Sequence, residues 1–122
     1  MKLRIKGNSL RLRLSRPEID EFAANGRVEA RITFSAMASL VYALEQDPST
    51  QHVFATMGNQ RITVYVPQAI GEAWAQTEQV GFTGNMQVTE SETLSILVEK
   101  DFQCLHRDTE DERDLYPNPN QS

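Results

Sequence analysis

The chain has 122 residues, of which 39% are hydrophobic and 24% charged, with a single Cys and a formal net charge of −5. This length fits one domain, and the near-average composition excludes a disordered or fibrous chain. No apolar run approaches the roughly 18–20 residues of a membrane span, so no membrane contact is expected. One Cys cannot form an internal disulfide and no signal peptide is visible, so we expect a cytoplasmic protein.

The first half of the chain predicts two strands, a helix and two further strands. Polar and apolar residues alternate on both sides of Gly7-Asn8, which is typical of a β-hairpin with a two-residue turn. Ser15 followed by Glu18 is a capping box and predicts the start of a helix. The four predicted strands of this half span residues 2–6, 9–14, 28–34 and 40–45.

The second half predicts the same order of elements. Gly58-Asn59 is expected to be another hairpin turn, and Pro67 opens a second helix. Phe22 of the first helix and Trp74 of the second hold equivalent positions, which predicts two core residues and not a ligand site. The predicted strands span residues 52–57, 61–66, 80–83 (an extension through 86–88 is left open) and 93–102.

The agreement between the halves predicts an internal duplication. Leu10, Leu12 and Leu14 match Ile62, Val64 and Val66 at an offset of 52 residues. Chance is the alternative, because amphipathic hairpins resemble one another. The expected fold is α+β: duplicated strand-strand-helix-strand-strand units form a curved or closed, about eight-stranded antiparallel barrel with two helices. The repeats span about 1–46 and 52–103 of a single domain (1–103), and an acidic, Pro/Asn-containing C-terminal tail follows (104–122).

Charge is distributed unevenly along the chain. Residues 1–16 hold six cations and no acid, whereas residues 17–100 hold eleven acids and four cations. The last stretch, 101–122, holds six acids and two cations. A uniformly basic nucleic-acid binder would look different, so we expect no nucleic-acid partner.

The basic feature lies on the first hairpin. A turn at Gly7-Asn8 places Arg4 opposite Arg11 and Lys2 opposite Arg13, and like charges in these positions destabilise a sheet. One interpretation is a solvated face, neutralised by carboxylates from neighbouring strands or from the tail. The other is an anion site inside a polar barrel lumen, because several converging cations favour a polyanion.

The leading functional hypothesis is a module that binds a phosphorylated or other small anionic molecule. Its candidate ligand-binding residues are Lys2, Arg4, Lys6, Arg11, Arg13, Arg31 and Arg61. One alternative is a phosphohydrolase in which Glu29, Glu99 or Asp101 holds a divalent metal. Another is a protein-interaction module. The sequence favours a protein without catalysis, assigns no catalytic residue, and leaves the oligomeric state open.

Two further features lie near the end of the sequence. Cys104 and His106 form a Cys-x-His pair, but zinc usually takes four such ligands and the only other His is His52. We therefore expect a free thiol and no cofactor. The run from Asp108 to Asp114 is interpreted as solvated, the alternative being an internal polyanion that folds back on the basic hairpin.

Two stretches resemble a family of small bacterial proteins classed as a domain of unknown function. They are Met1-Lys-Leu-Arg-Ile-Lys-Gly-Asn-Ser-Leu-Arg-Leu-Arg-Leu and Leu97-Val-Glu-Lys-Asp-Phe-Gln-Cys-Leu. The resemblance implies a soluble cytosolic protein without an assigned role. The predicted architecture is also similar to that of the triphosphate tunnel metalloenzymes, whose first strand carries Glu-x-Glu-x-Lys. Here that spacing is Lys2-x-Arg4-x-Lys6, so only Lys6 fits, which argues against metal-dependent hydrolysis and leaves anion binding open.

Overall fold

The computed structural model describes residues 1–102. These residues form two helices and eight strands, an α+β fold as predicted. In chain order the elements are β1 (Lys2–Lys6), β2 (Ser9–Leu14), α1 (Arg16–Asn25), β3 (Arg27–Ser35), β4 (Ala38–Asp47), β5 (Phe54–Gly58), β6 (Arg61–Pro67), α2 (Gln68–Gln76), β7 (Gly81–Gln87) and β8 (Thr93–Lys100). Neither helix is long and apolar enough to cross a membrane.

The turn of the second hairpin differs by one residue from the prediction. Gly58 still belongs to β5 and pairs with Arg61, so the two-residue turn is Asn59-Gln60. Both turn residues have positive φ, at 52° and 59°, as a type I′ turn requires. In the first hairpin only Gly7 has positive φ, at 56°. The two turns are therefore separated by 52 residues, the same offset that relates Leu12 on β2 to Val64 on β6.

Local signals also define both ends of the first helix. The Glu18 carboxylate accepts hydrogen bonds from the backbone N–H of Ser15 at 2.8 Å and from its hydroxyl at 2.9 Å. Gly26 ends the helix in the left-handed conformation at φ 73°, and its N–H donates to the Phe22 carbonyl at 2.7 Å. Pro67 directly precedes α2, as expected.

The eight strands form two four-stranded sheets, and neither sheet is closed. Sheet A has the order β1-β2-β8-β7 and sheet B has the order β3-β4-β6-β5. The hairpins are antiparallel, but β2 and β8 pair in parallel, and so do β4 and β6. The strands thus form two open, mixed sheets in place of the expected curved or closed antiparallel barrel of about eight strands. The second strand of each hairpin runs toward the helices, and two such strands lying side by side must be parallel.

Each sheet combines one hairpin from each half of the chain. Matching β1, β2, β3 and β4 to β5, β6, β7 and β8 converts the strand order of sheet A into that of sheet B. The helices also correspond, since α1 follows β2 and α2 follows β6. The topology thus has an internal symmetry, and the duplication of the sequence itself stays a prediction.

One apolar core connects both sheets and both helices. Its sheet residues come from the inner faces, such as Leu12 and Val98 in sheet A and Leu44 and Val64 in sheet B. Phe22 and Trp74 are fully buried, with ring centroids 5.9 Å apart at an interplanar angle of 68°. This confirms both aromatic residues as core residues. Because the helices lie where β2 and β6 end, the four hairpin turns lie at the opposite end.

Candidate functional site

The first hairpin has the predicted register. Arg4 pairs with Arg11 and Lys2 with Arg13 across the two strands, while Lys6 faces Ser9. The alternate positions, including Leu12 and Leu14, point into the core. The cations therefore lie on the outer face of sheet A. We call the five residues Lys2, Arg4, Lys6, Arg11 and Arg13 the basic face.

Strand β8 supplies the carboxylate that holds two arginines of the basic face. Glu99 lies opposite Arg13 in the parallel pairing of β2 and β8. Its Oε1 accepts hydrogen bonds from Arg11 Nε at 2.7 Å and from Arg13 Nε at 2.6 Å. Both guanidinium groups are thereby fixed, and part of the repulsion within the hairpin is offset. Glu99 is thus a carboxylate from a neighbouring strand, as the first interpretation of the hairpin expected.

A second carboxylate lies where β8 ends. Lys2 Nζ contacts Asp101 Oδ2 at 2.8 Å. The hydrogen bond from the Lys2 ammonium holds the pKa of Asp101 below its ordinary value. The backbone N–H of Asp101 also donates to the Leu14 carbonyl at 2.9 Å, which fixes this residue beside β2.

Arg4 and Lys6 differ from the other members of the basic face. Within residues 1–102, neither of them has a carboxylate at salt-bridge distance. Both side chains are exposed and lie toward the turn end of the hairpin. The positive charge that the sheet does not offset is thus concentrated at these two positions, next to Arg11.

A shallow cavity of about 480 Å³ covers this part of the basic face. Arg4, Lys6 and Arg11 line it from the hairpin. Uncharged polar residues line it as well, namely Ser9, Thr83, Asn85 and Ser95, and the Ser95 hydroxyl donates to Asn85 Oδ1 at 3.2 Å. The remaining lining residues are Leu10, Gly84, Ile96 and Leu97. Guanidinium, ammonium, hydroxyl and amide groups are the donors that phosphate and carboxylate oxygens accept from. The arrangement can hold an anion by charge and by hydrogen bonds together.

Comparison with protein families connects the geometry to a family. A family model described as a family of unknown function, DUF7009, matches residues 1–120. The chain belongs to this family. The match spans both sheets and the whole basic face, and it confirms the resemblance to a domain of unknown function. No curated protein and no solved structure matches the chain.

The likeness to the triphosphate tunnel metalloenzymes is not supported for this DUF7009 protein. The two sheets are open, so the described residues enclose no tunnel. The basic face lies on the outside of sheet A and not in a lumen, which corrects the second interpretation of the hairpin. Fold-level analogy therefore contributes nothing to the function of the DUF7009 chain.

Arg31 and Arg61 do not join the basic face of the DUF7009 protein. They lie on β3 and β6, on the outer face of sheet B. Arg61 Nη1 donates to Glu29 Oε2 at 3.1 Å, and Arg27 Nη2 donates to the same oxygen at 2.8 Å. The seven predicted ligand-binding residues thus divide into five on one sheet and two on the other.

The proposed metal-ligating carboxylates are also dispersed. Glu29 lies on sheet B, whereas Glu99 lies on sheet A and Asp101 directly follows its strand β8, and each of the three is paired with a cation. In the part of the DUF7009 chain that the structure describes, no three His, Cys, Asp or Glu residues form a group that could hold a metal ion. Cys104, His106 and the run from Asp108 to Asp114 lie outside the described residues.

Sequence reasoning missed the uncharged side of the cavity. Thr83 and Asn85 come from β7, and Ser95 from β8. Their period-two spacing was visible, but their position beside Arg11 depends on the parallel pairing of β2 with β8. That pairing joins strands more than 80 residues apart, and the strand pattern does not specify it.

Proposed function

We propose that this protein binds a small anionic molecule that carries phosphate or carboxylate groups, and that Arg4, Lys6 and Arg11 hold it. The observation that carries the proposal is the pair Arg4 and Lys6, which have no carboxylate partner within residues 1–102 and share a polar cavity with Arg11. A bound anion would offset the repulsion between the opposed arginines. The same contact would therefore favour both binding and the folded hairpin.

The three cations have different roles in this proposal. Arg11 is held in place by Glu99, so its guanidinium is already oriented before a ligand arrives. Arg4 and Lys6 are exposed and supply charge that is free to adapt to the ligand. Lys2 and Arg13 contribute less, because neither lines the cavity that Arg11 shares with Arg4 and Lys6.

The chemistry of the face favours a small ligand over a nucleic acid. Proteins that bind single strands stack bases on aromatic side chains beside a positive groove. Apart from Gly84, the residues that line the cavity are charged, uncharged polar or aliphatic, and no aromatic ring is among those from the described part of the chain. The single Cys of the sequence cannot form an internal disulfide, which suits a protein of the reducing cytoplasm. We therefore propose that the ligand is found in that compartment.

Titration calorimetry at fixed ionic strength with tripolyphosphate, citrate and sulfate tests this proposal. The double variant Arg4→Gln and Arg11→Gln is expected to weaken the binding of the best of these anions at least tenfold. The matched control is Arg31→Gln with Arg61→Gln, which removes the same charge from sheet B and is expected to change affinity less than twofold. Equal losses in both variants would mean that only net charge matters, and unchanged affinity in the first variant would overturn the site.

A further inference from the structure

The chain leaves sheet A at the border of the basic face. Asp101 follows β8 directly, and its carboxylate binds Lys2 at 2.8 Å. Its N–H donates to the Leu14 carbonyl at 2.9 Å, so its backbone is fixed beside β2. Whatever follows Asp101 therefore starts next to the first cation of the basic face.

The residues that follow are long enough to reach the cavity. Asp108 lies seven positions after Asp101, and an extended chain spans about 3.3–3.6 Å per position, or roughly 23–25 Å in all. Along β1, the four steps from Lys2 to Lys6 cover only about 14 Å at roughly 3.4 Å per step. A segment that begins at Asp108 can thus lie beside Arg4 and Lys6 with chain length to spare.

The charge of that segment complements the face. Residues 108–114, which we call the acidic segment, read Asp-Thr-Glu-Asp-Glu-Arg-Asp and hold five carboxylates and one Arg. Arg4 and Lys6 are the members of the basic face that have no carboxylate partner within residues 1–102. A short tether gives such a segment an effective concentration on the order of millimolar, which compensates for weak individual contacts.

We propose that the acidic segment occupies the basic face of its own chain and competes there with the anionic ligand. This inference rests on the proposed function, because the two anions share Arg4 and Lys6. The segment offsets the exposed charge in the absence of ligand, and an incoming anion must displace it. The segment thereby raises the ligand concentration needed for half-occupancy and favours anions with several charges over those with one.

Carbodiimide cross-linking of the full chain tests the contact itself. This reagent joins an amine to a carboxylate that touches it, and the chain holds only three lysines: Lys2, Lys6 and Lys100. Mass spectrometry is expected to find Lys6 linked to the acidic segment within one molecule. Saturating tripolyphosphate should remove this link and leave links at Lys100, which lies outside the basic face, unchanged. Links only between molecules, or none at Lys6, would overturn the inference.

Neutralising the segment tests the competition. A variant of the full chain with D108N, E110Q, D111N, E112Q and D114N is expected to bind tripolyphosphate about tenfold more tightly than the wild type, a difference that 0.5 M salt should abolish. Unchanged affinity would overturn the inference and leave the proposed function standing. If the Lys6 link forms and tripolyphosphate neither removes it nor binds to the protein, both the competition and the proposed function are overturned.

Discussion

The outer faces of the two sheets occupy equivalent positions and carry charge differently. Offset by 52 residues, Leu12 corresponds to Val64, and their parallel partners Val98 and Leu44 correspond to each other. Glu99 and Glu45, the next residues on β8 and β4, are therefore equivalent. On sheet A this Glu faces Arg13, whereas on sheet B it faces Tyr65.

On the outer face of sheet B, most charged side chains pair with one another. Arg27 is shared between Glu29 and Glu45, and hydrogen bonds from Arg27 and Arg61 lower the pKa of Glu29. Tyr65 stacks on Phe54 with ring centroids 4.8 Å apart. Sheet A has hydroxyls, an amide and clustered cations in place of this arrangement.

The difference indicates which part of the surface the fold requires. Inner positions are alike in both sheets, since they must fill one core, but outer positions differ. A hairpin with stacked rings and paired charges suits this scaffold, as sheet B shows. The opposed cations on sheet A cost stability, by something on the order of 0.2–1 kcal/mol per pair. This cost, which the fold does not require, is one reason why we propose a binding role for this face.

The largest expected effect on the free energy of unfolding tests whether both sheets share one core. Phe22 and Trp74 are fully buried and occupy equivalent positions in the two helices. Replacing either with Ala should lower the free energy of unfolding by about 3–5 kcal/mol, because each leaves a large cavity. Urea unfolding followed by circular dichroism should show one transition in both variants. A second transition, with one sheet surviving the other, would contradict the shared core.

A smaller effect distinguishes the two equivalent glutamates. Glu99 accepts hydrogen bonds from two arginines, Arg11 and Arg13, and Glu99→Gln would remove the charge of this shared acceptor. We expect a loss of about 1–2 kcal/mol, since hydrogen bonds to charged groups are among the stronger ones. Glu45→Gln should cost about 0.5 kcal/mol or less, because Arg27 keeps Glu29.

Urea midpoints of both variants at 0.05 M and 0.5 M salt provide the measurement. Salt screens exposed charges, so the Glu99→Gln loss should shrink at the higher concentration as repulsion among the remaining cations is reduced. Equal losses at Glu99 and Glu45 would remove the electrostatic distinction between the sheets.

Local sequence signals predicted the hairpin register, but they did not predict the pairing between distant strands. Alternation around Gly7-Asn8 was enough for the register that opposes Arg4 and Arg11, because a two-residue turn leaves no freedom. The parallel pairing of β2 with β8 depends on how the helices place two distant hairpins, which no local pattern encodes. The separation of Arg31 and Arg61 from the basic face follows from that pairing. So does the meeting of Ser95 and Asn85 with Arg11.

The smallest effect concerns pH and compares Asp101 on sheet A with Glu29 on sheet B. The Lys2 ammonium lowers the pKa of Asp101, so their pair contributes stability above the unfolded pKa of about 3.9, and this contribution is lost as pH falls through the folded value. Lys2→Met should cost about 0.2–1 kcal/mol at pH 7, toward the lower value because the Lys2 side chain is 72% exposed. Below the folded pKa of Asp101 the two proteins should unfold at the same urea concentration.

Arg27→Met is the matched variant on sheet B, where Arg27 lowers the pKa of Glu29 in the same sense. Because Arg61 still donates to Glu29 after this change, part of the pH dependence should remain there. Asp101 has only one such donor among the described side chains, so Lys2→Met should flatten the pH profile more completely. Stability could instead depend more steeply on pH in Lys2→Met than in Arg27→Met. That result would mean that another cation of the basic face replaces Lys2 beside Asp101, and that more cations of this face interact with the carboxylates than the ion pairs indicate.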